Sequence, residues 1–335
     1  MLEQLVGMQA QAPKSPFVGL WTRLAGFSVD DLADLIVQRK AVRLPLMRST
    51  IHLVSARDCL ALRPVIQPVM DRDLSGSSWG KGVVGVDLAR LGLEARRILE
   101  KKPLANGDLG RALTQRWRKR DPGSLAYAAR NTLALVQIPP RGLWHESGRP
   151  LLAPAESWLS RPLGDDASPD DMIDRYLRAF GPATVADVQQ WSGLTGLGSS
   201  LDRMRPELRT FVDERGRELF DVAEAPLPDP ETPAPVRYLP EFDNLLLSHS
   251  DRARIIPPEY RAQVVRNLGA KMFLVDGFVA GEWKIDRSRK MIALDVHSFA
   301  PPSRKTRAAL VQEGRKLLTF VSGESGGEVR IRERV

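Results

Sequence analysis

A single cysteine, Cys59, stands in a chain of 335 residues. That excludes an internal disulfide and any cysteine-cluster metal site, and it fits a reducing cytoplasm. Histidine is nearly as scarce. His52, His145, His249 and His297 are the only four, and none forms a close pair, which argues against zinc. No apolar run approaches the roughly 18 residues of a membrane span. The N-terminus has no basic leader, and Glu3 interrupts its apolar positions, so a signal peptide is not expected. No glycine-rich phosphate loop of Walker or dinucleotide type occurs. Leu2, Leu5 and Val6 follow helical spacing with no capping residue ahead of them. The chain is therefore expected to begin inside an element, with its first domain N-terminally short.

What is present is positive charge. Lysine and arginine total 49 against 41 aspartates and glutamates, a net charge of +8, with a pI near 9.8. Most of the cations are arginine, the side chain suited to phosphate forks, so a polyanionic partner is favoured. The charge is unevenly spread. Residues 90–120 hold ten basic and three acidic residues, 39–72 hold seven and two, and 202–231 hold five and nine. One long basic surface facing a duplex would produce such segregation, although each run taken alone reads as a solvated face.

Three segments repeat one plan. Short helices are expected to open at Phe27–Leu32 and run to Gln38, at Leu104–Leu109 and run to Trp117, and at Ala183–Val188 and run to Trp191. In each a capping residue precedes an acid in the first turn, where it meets the positive helix end. A hairpin candidate follows each helix. These are Ala41–Met47 with Thr50–Ser55, Leu135–Ile138 with Leu151–Ala153, and Leu208–Val212 with Glu218–Val222. Short helices followed by a two-stranded wing are the pattern of a winged helix-turn-helix. The units are placed at 1–84, 85–160 and 168–223. A connector with five prolines, Glu224–Pro235, comes next. Beyond it strands are expected at Lys271–Asp276, Phe278–Ile285 and Lys290–His297, then a helix over Ser303–Phe320, and Glu328–Ile331 closing the sheet. The fold class is thus α+β, with three tandem winged helices and a small C-terminal β-barrel over 236–335.

The apolar stretch Leu5–Trp21 contains Gln9-Ala10-Gln11. A buried primary amide needs partners for two donors and an acceptor, so two of them two residues apart are costly unless used. A glutamine amide does not titrate near neutrality; it is a poor base and no nucleophile. It can orient a water. Such equipment suffices when the leaving group is already activated, as an N7- or N3-alkylated purine is, because it carries a positive charge and leaves neutral.

The run resembles the signature of the AlkZ/YcaQ-type DNA glycosylases, a Gln-apolar-Gln or Gln-apolar-Asp triplet near the N-terminus. Leu46–Val54 and Leu239–Arg254 carry the resemblance further, over nearly the whole chain. It implies three winged helices and a β-barrel around duplex DNA. It also implies removal of alkylated purines and, in some members, unhooking of interstrand crosslinks. It assigns the water to Gln9 and Gln11. A β-hairpin is expected to reach the minor groove. Trp283–Leu294 is the first candidate, with the basic tip Asp286-Arg287-Ser288-Arg289-Lys290. The second wing, with Arg141, Trp144, His145 and Arg149, is its rival.

Other sites stay open at this level. Arg48 is a candidate phosphate contact. His52 either faces DNA or is a satisfied structural histidine, the second being favoured. For Asp243, Asn244, His249, Asp251, Arg252 and Arg254 an ion-pair cluster is favoured over phosphate binding. Neither metal nor organic cofactor is expected, and Lys14 is the one lysine near the triplet that a lyase would need. The expected partner is double-stranded DNA carrying alkylated bases, met by a cytoplasmic, nucleoid-associated monomer. A winged-helix regulator without catalysis is the alternative, and a scaffold for protein contacts is a third reading.

Overall fold

The computed structural model describes residues 1–267, 269–288, 291–324 and 326–333. Two compact units are present: residues 1–14 with 29–225, and residues 15–28 with 226–335. The sequence reading assigns 15–28 to the first unit. Two polar contacts explain its place in the other. Arg23 forms a two-pronged ion pair with Asp243 at 2.7 and 2.9 Å, and Ser15 donates to Glu241 at 2.6 Å. A forked guanidinium–carboxylate pair is both strong and geometrically specific.

The larger unit is organised on a six-stranded sheet. Its strands are β1 (Met8–Gln9), β2 (Ala41–Pro45), β3 (Ile51–Ser55), β4 (Leu104–Ala105), β5 (Leu135–Ile138) and β6 (Leu151–Pro154), in the order β1-β3-β2-β5-β6-β4. Every pairing is antiparallel. The first two expected hairpins therefore both form, yet they are not separate wings: Arg43 pairs with Gln137 and joins them into one sheet. The third hairpin, β7 (Leu208–Val212) with β8 (Glu218–Val222), stands as its own two-stranded sheet.

The expected helices appear as Val29–Val37, Asn106–Leu113 and Val185–Ser192. In the third, Thr184 and Asp187 form a reciprocal capping box. In the second, Asn106 lies inside the first turn and makes no cap; Asp108 there pairs with Arg111 and Arg149 instead. One apolar core runs from Val6, Leu44 and Leu46 through Met70 to Tyr176 and Trp191. The first and third repeats therefore bury a common core. Leu91, Leu99, Leu109 and Leu125 form a second one.

The smaller unit carries β9 (Arg237–Tyr238), β10 (Met272–Val275), β11 (Phe278–Asp286), β12 (Ala293–Ser298) and β13 (Glu328–Glu333), ordered β13-β12-β11-β10-β9. The expected barrel is not closed: among the described residues β9 and β13 lie at opposite ends of the sheet. Two physical reasons apply. The end strand β9 is only two residues long and offers little edge for closure. The helix Arg304–Ser322 covers the apolar face instead, burying Leu310, Leu317 and Leu318 and setting Gly314 against Leu294 and Val329. The same helix is the crossover that makes β12–β13 the one parallel pair in this sheet. Among the described residues no helix is long and apolar enough to cross a membrane.

Candidate active site

The Gln-Ala-Gln run stands on a strand, although helical spacing ahead of it predicts a helix. Residues 2–6 make only turns, and Gly7 then adopts φ +91° with the position of a Cβ only 2.5 Å from Val54 Cγ1. That break lets Met8 and Gln9 pair with Leu53 and His52 at the sheet's edge. The Ala10 amide continues the contact by donating to Ile51 O at 2.7 Å.

Both glutamine amides are oriented by groups that can only donate. Arg48 Nη2 donates to Gln9 Oε1 at 2.8 Å, and the Ile51 backbone N–H donates to Gln11 Oε1 at 3.2 Å. A flipped amide would set donor against donor, so each oxygen assignment is decided by chemistry. Gln9 is 7% exposed, whereas Gln11 is open to solvent. Among the described residues neither Nε2 makes a hydrogen bond to protein. Each carbonyl keeps a second lone pair.

Arg48 is therefore directed inward, not to a phosphate. It sits in the β2–β3 turn Met47–Ser49, where Arg48 and Ser49 both have left-handed backbone, φ 55° and 58°. Such a pair is strained for residues with a Cβ and persists only when its surroundings over-determine it. Here they do. Arg48 Nη1 also donates to Trp191 O. Arg130 donates to Ser49 O at 2.6 Å, while Ser49 Oγ and Tyr127 Oη share Asp73 Oδ2 at 2.9 and 2.5 Å. Gly193 closes the clasp: a Cβ there would lie 3.1 Å from Arg48 N and Cα.

His52 lies opposite Gln9 on the same face of the sheet and is 2% exposed. Burial first, and the Arg48 cation second, push its pKa down to about 3, against a smaller opposing effect of its contact with Thr50 O. The imidazole is neutral and enclosed, so it is a structural histidine and not a DNA-facing one.

Sequence reasoning passed over Arg43. It lies 3% exposed in the middle of β2 and donates to Ala10 O at 2.7 Å, pinning the residue between the two glutamines. Burial and the neighbouring Arg141 lower its pKa to about 10. A Cβ on Gly142 would come within 2.8 Å of Arg43 Cδ, so the loop of the second hairpin rests on this arginine. The signal was available: an arginine inside the apolar strand Ala-Val-Arg-Leu-Pro. From the same loop Trp144 is buried and takes Lys14 Nζ 5.3 Å from its ring centroid, which occupies the one nearby lysine. Cys59 is buried and its thiol is pushed up to about 12, so it is no nucleophile.

The remaining candidates fall elsewhere. Arg141 donates to Gly148 O within its loop, and Arg149 is exposed and paired with Asp108. In the smaller unit Arg254 donates to His249 Nε2 at 2.8 Å, which leaves the proton of that ring on Nδ1, facing Ser248 Oγ at 3.0 Å. Arg252 is half-buried, and burial together with Arg261 lowers its pKa. Arg254, His249 and Ser248 thus form a small polar network, while Asp243 pairs with Arg23. Arg287 is exposed at the β11–β12 tip. Arg289 and Lys290 lie outside the described residues.

The family described as DNA glycosylase AlkZ-like matches residues 2–320. An interstrand DNA cross-link repair glycosylase of Streptomyces sahachiroi is 33% identical over 139 residues, 38% of this chain; the match spans 37% of that relative's length. The solved structure of the Streptomyces sahachiroi DNA glycosylase AlkZ shares the fold with a TM-score of 0.75 at 24% identity, over 99% of this chain and 92% of that one. With the family matched from the second residue to the end of the helix that covers the smaller sheet, the chain belongs to the AlkZ-like DNA glycosylases.

Proposed function

We propose that this protein is a monofunctional DNA glycosylase. It hydrolyses the N-glycosidic bond of N7- or N3-alkylated purines in duplex DNA, including purines held in interstrand crosslinks, with a water positioned by Gln9 and Gln11. The observation that carries this reading is the pair of amides, each with its carbonyl held by an obligate donor and its Nε2 unspent.

The chemistry needs little from the protein. The C1′–N bond breaks, its electron pair leaves with the base, and the base's positive charge is discharged. The sugar becomes oxocarbenium-like, a water oxygen adds to C1′, and the water's second proton passes to solvent. Gln9 and Gln11 hold that water through Nε2–H to its lone pairs and through the second lone pair of Oε1. Arg48 polarises the Gln9 amide, which makes Nε2 a better donor. Preorganised dipoles of this kind act at the transition state without reorganising. Burial keeps the His52 imidazole neutral, in keeping with a substrate that needs no protonation before it leaves.

The test is base release from a duplex carrying one N7-methylguanine, with wild type and the Gln9→Ala/Gln11→Ala variant at matched DNA affinity. Release by the wild type alone supports the reading. Sequence-specific binding of undamaged DNA without release would establish the regulator instead. Borohydride trapping of a protein–DNA adduct would replace the water mechanism with a lyase.

A further inference from the structure

Most arginines in this protein are spent on protein partners. Arg23, Arg96, Arg175, Arg203, Arg205 and Arg330 each hold a carboxylate. The helix Arg304–Ser322 departs from that habit. It carries Arg304, Lys305, Arg307, Arg315 and Lys316 against a single acid, Glu313, which is already paired with Arg237 and Lys316. Arg304, Arg307 and Arg315 are exposed, and among the described residues none of their side chains makes a hydrogen bond or ion pair.

Their spacing is not scattered. Positions 304, 307, 308, 311, 312, 315 and 316 recur every three or four residues and so occupy one stripe of the helix. They line an open trough of about 530 Å³. Its floor is Ala308 and Val311, and its ends are cationic: Arg304 and Arg307 at one, Arg315 and Lys316 at the other. At 1.5 Å per residue the two ends lie roughly 16 Å apart along the axis. The opposite stripe is apolar and buried on the sheet through Leu310, Gly314 and Leu317, so the basic face is the one left to solvent.

We infer that this face is a phosphate-tracking surface that takes the sugar–phosphate backbone of duplex DNA, independently of base identity. Unpaired guanidinium groups in a row around a shallow floor suit a polyanionic strand with evenly repeated charges. They suit a compact anion less well, since among the described residues that line the trough no polar side chain is buried. The inference rests on the reading of the protein as a DNA enzyme, but it concerns affinity and not chemistry, so the two fail separately.

The experiment measures binding of the full chain to an undamaged labelled 25-base-pair duplex between 50 and 200 mM KCl. It compares wild type with Arg304→Ala/Arg307→Ala/Arg315→Ala and with the corresponding triple lysine variant. Each phosphate contact contributes about 0.9 to the slope of log K against log salt. If all three arginines touch phosphates, the wild type loses about 40-fold more affinity than the alanine variant over that range. The lysine variant should keep the wild-type slope, which separates charge from helix packing. Base release from alkylated duplex under saturating, single-turnover conditions should be unchanged in all three proteins. An alanine variant with wild-type affinity and slope overturns the inference. So does a wild type that binds vesicles rich in anionic lipid through these arginines while the variant binds DNA normally. A wild type that shows the slope effect but releases no base refutes the glycosylase reading and leaves this surface standing.

Discussion

The first and third hairpins are built on one local plan and have different fates. β2 and β3 are almost wholly buried, flanked on both sides by other strands, and their turn is clasped by groups from distant segments. β7 and β8 make a sheet of two. Their turn at Asp213–Arg217 is exposed and held by its own residues, with Asp213 accepting from the amides of Arg215 and Arg217. A hairpin whose turn closes on itself needs no other element to hold it. A hairpin whose turn is closed by others can be used to aim a side chain, and the Met47–Ser49 turn aims Arg48 at Gln9.

The widest separation between the two hairpins should come from the glutamines that the first one supports. Gln9→Ala/Gln11→Ala is expected to lower the single-turnover rate of base release by at least about 100-fold, the scale of losing preorganised dipoles, with DNA affinity retained. No single substitution in β7 or β8 should approach that. Comparable losses from both hairpins would erase the distinction.

Next in size is the arginine of each hairpin region. Arg48→Ala leaves Gln9 Oε1 and Trp191 O without their donor, and should slow release by roughly 10- to 100-fold, with the loss in kcat more than in KM. Arg48→Lys should recover part of it, because an ammonium still donates to one acceptor. Arg205→Ala removes an exposed pair with Glu218 and should change neither release nor melting.

A glycine pair sharpens the contrast. Gly193 (φ +82°) and Gly216 (φ +73°) both hold left-handed backbone, so alanine at either costs about 1 kcal/mol or more. Nothing lies within 4 Å of a Cβ on Gly216, whereas one on Gly193 meets Arg48 and Val69 Cγ1. Gly193→Ala should therefore also slow base release, while Gly216→Ala should only lower the melting temperature.

The last effect is on pH and bears on stability, not on base release. His52 has a folded pKa of about 3, below the ordinary 6.5. A histidine whose folded pKa is depressed stabilises the fold where both states are neutral, and that contribution is lost as pH falls from 6.5 towards 3. The wild type should lose about 2 kcal/mol between pH 6.5 and 5 relative to His52→Gln, read from denaturant midpoints. Base release itself should stay flat from pH 6 to 8. A bell-shaped profile in that range would put a titrating group into the mechanism.

Local elements were largely legible. All six expected hairpin strands appear within two residues of their predicted ends, because alternating apolar residues bounded by turn signals specify a strand wherever it packs. The helix at 304 was readable from the proline pair Pro301-Pro302 ahead of it, and the structure adds Ser303 as its cap, accepting from Thr306 N at 3.1 Å. The assembly was less so. Merging of the first two hairpins depends on a one-residue bridge between Arg43 and Gln137, and barrel closure depends on whether a helix covers the sheet's face. Neither leaves a mark on local periodicity. At the site, Gln9 and Gln11 stood out as amides in an apolar run. Arg43 left its mark only as an arginine inside an apolar strand, and Gly142 and Gly193 left none, because each acts on an arginine far away in the chain.

By itself the sequence determined the strands, the capped helices, the surplus of arginine and the presence of two amides two residues apart. These are properties of short windows, set by side-chain period, capping and charge. Only the tertiary structure decided which arginine is a donor to Gln9 and which are left to solvent. A guanidinium is charged everywhere, and its use is settled by what stands opposite it. Arg48 meets a carbonyl and an amide oxygen brought by other elements; Arg304, Arg307 and Arg315 meet solvent.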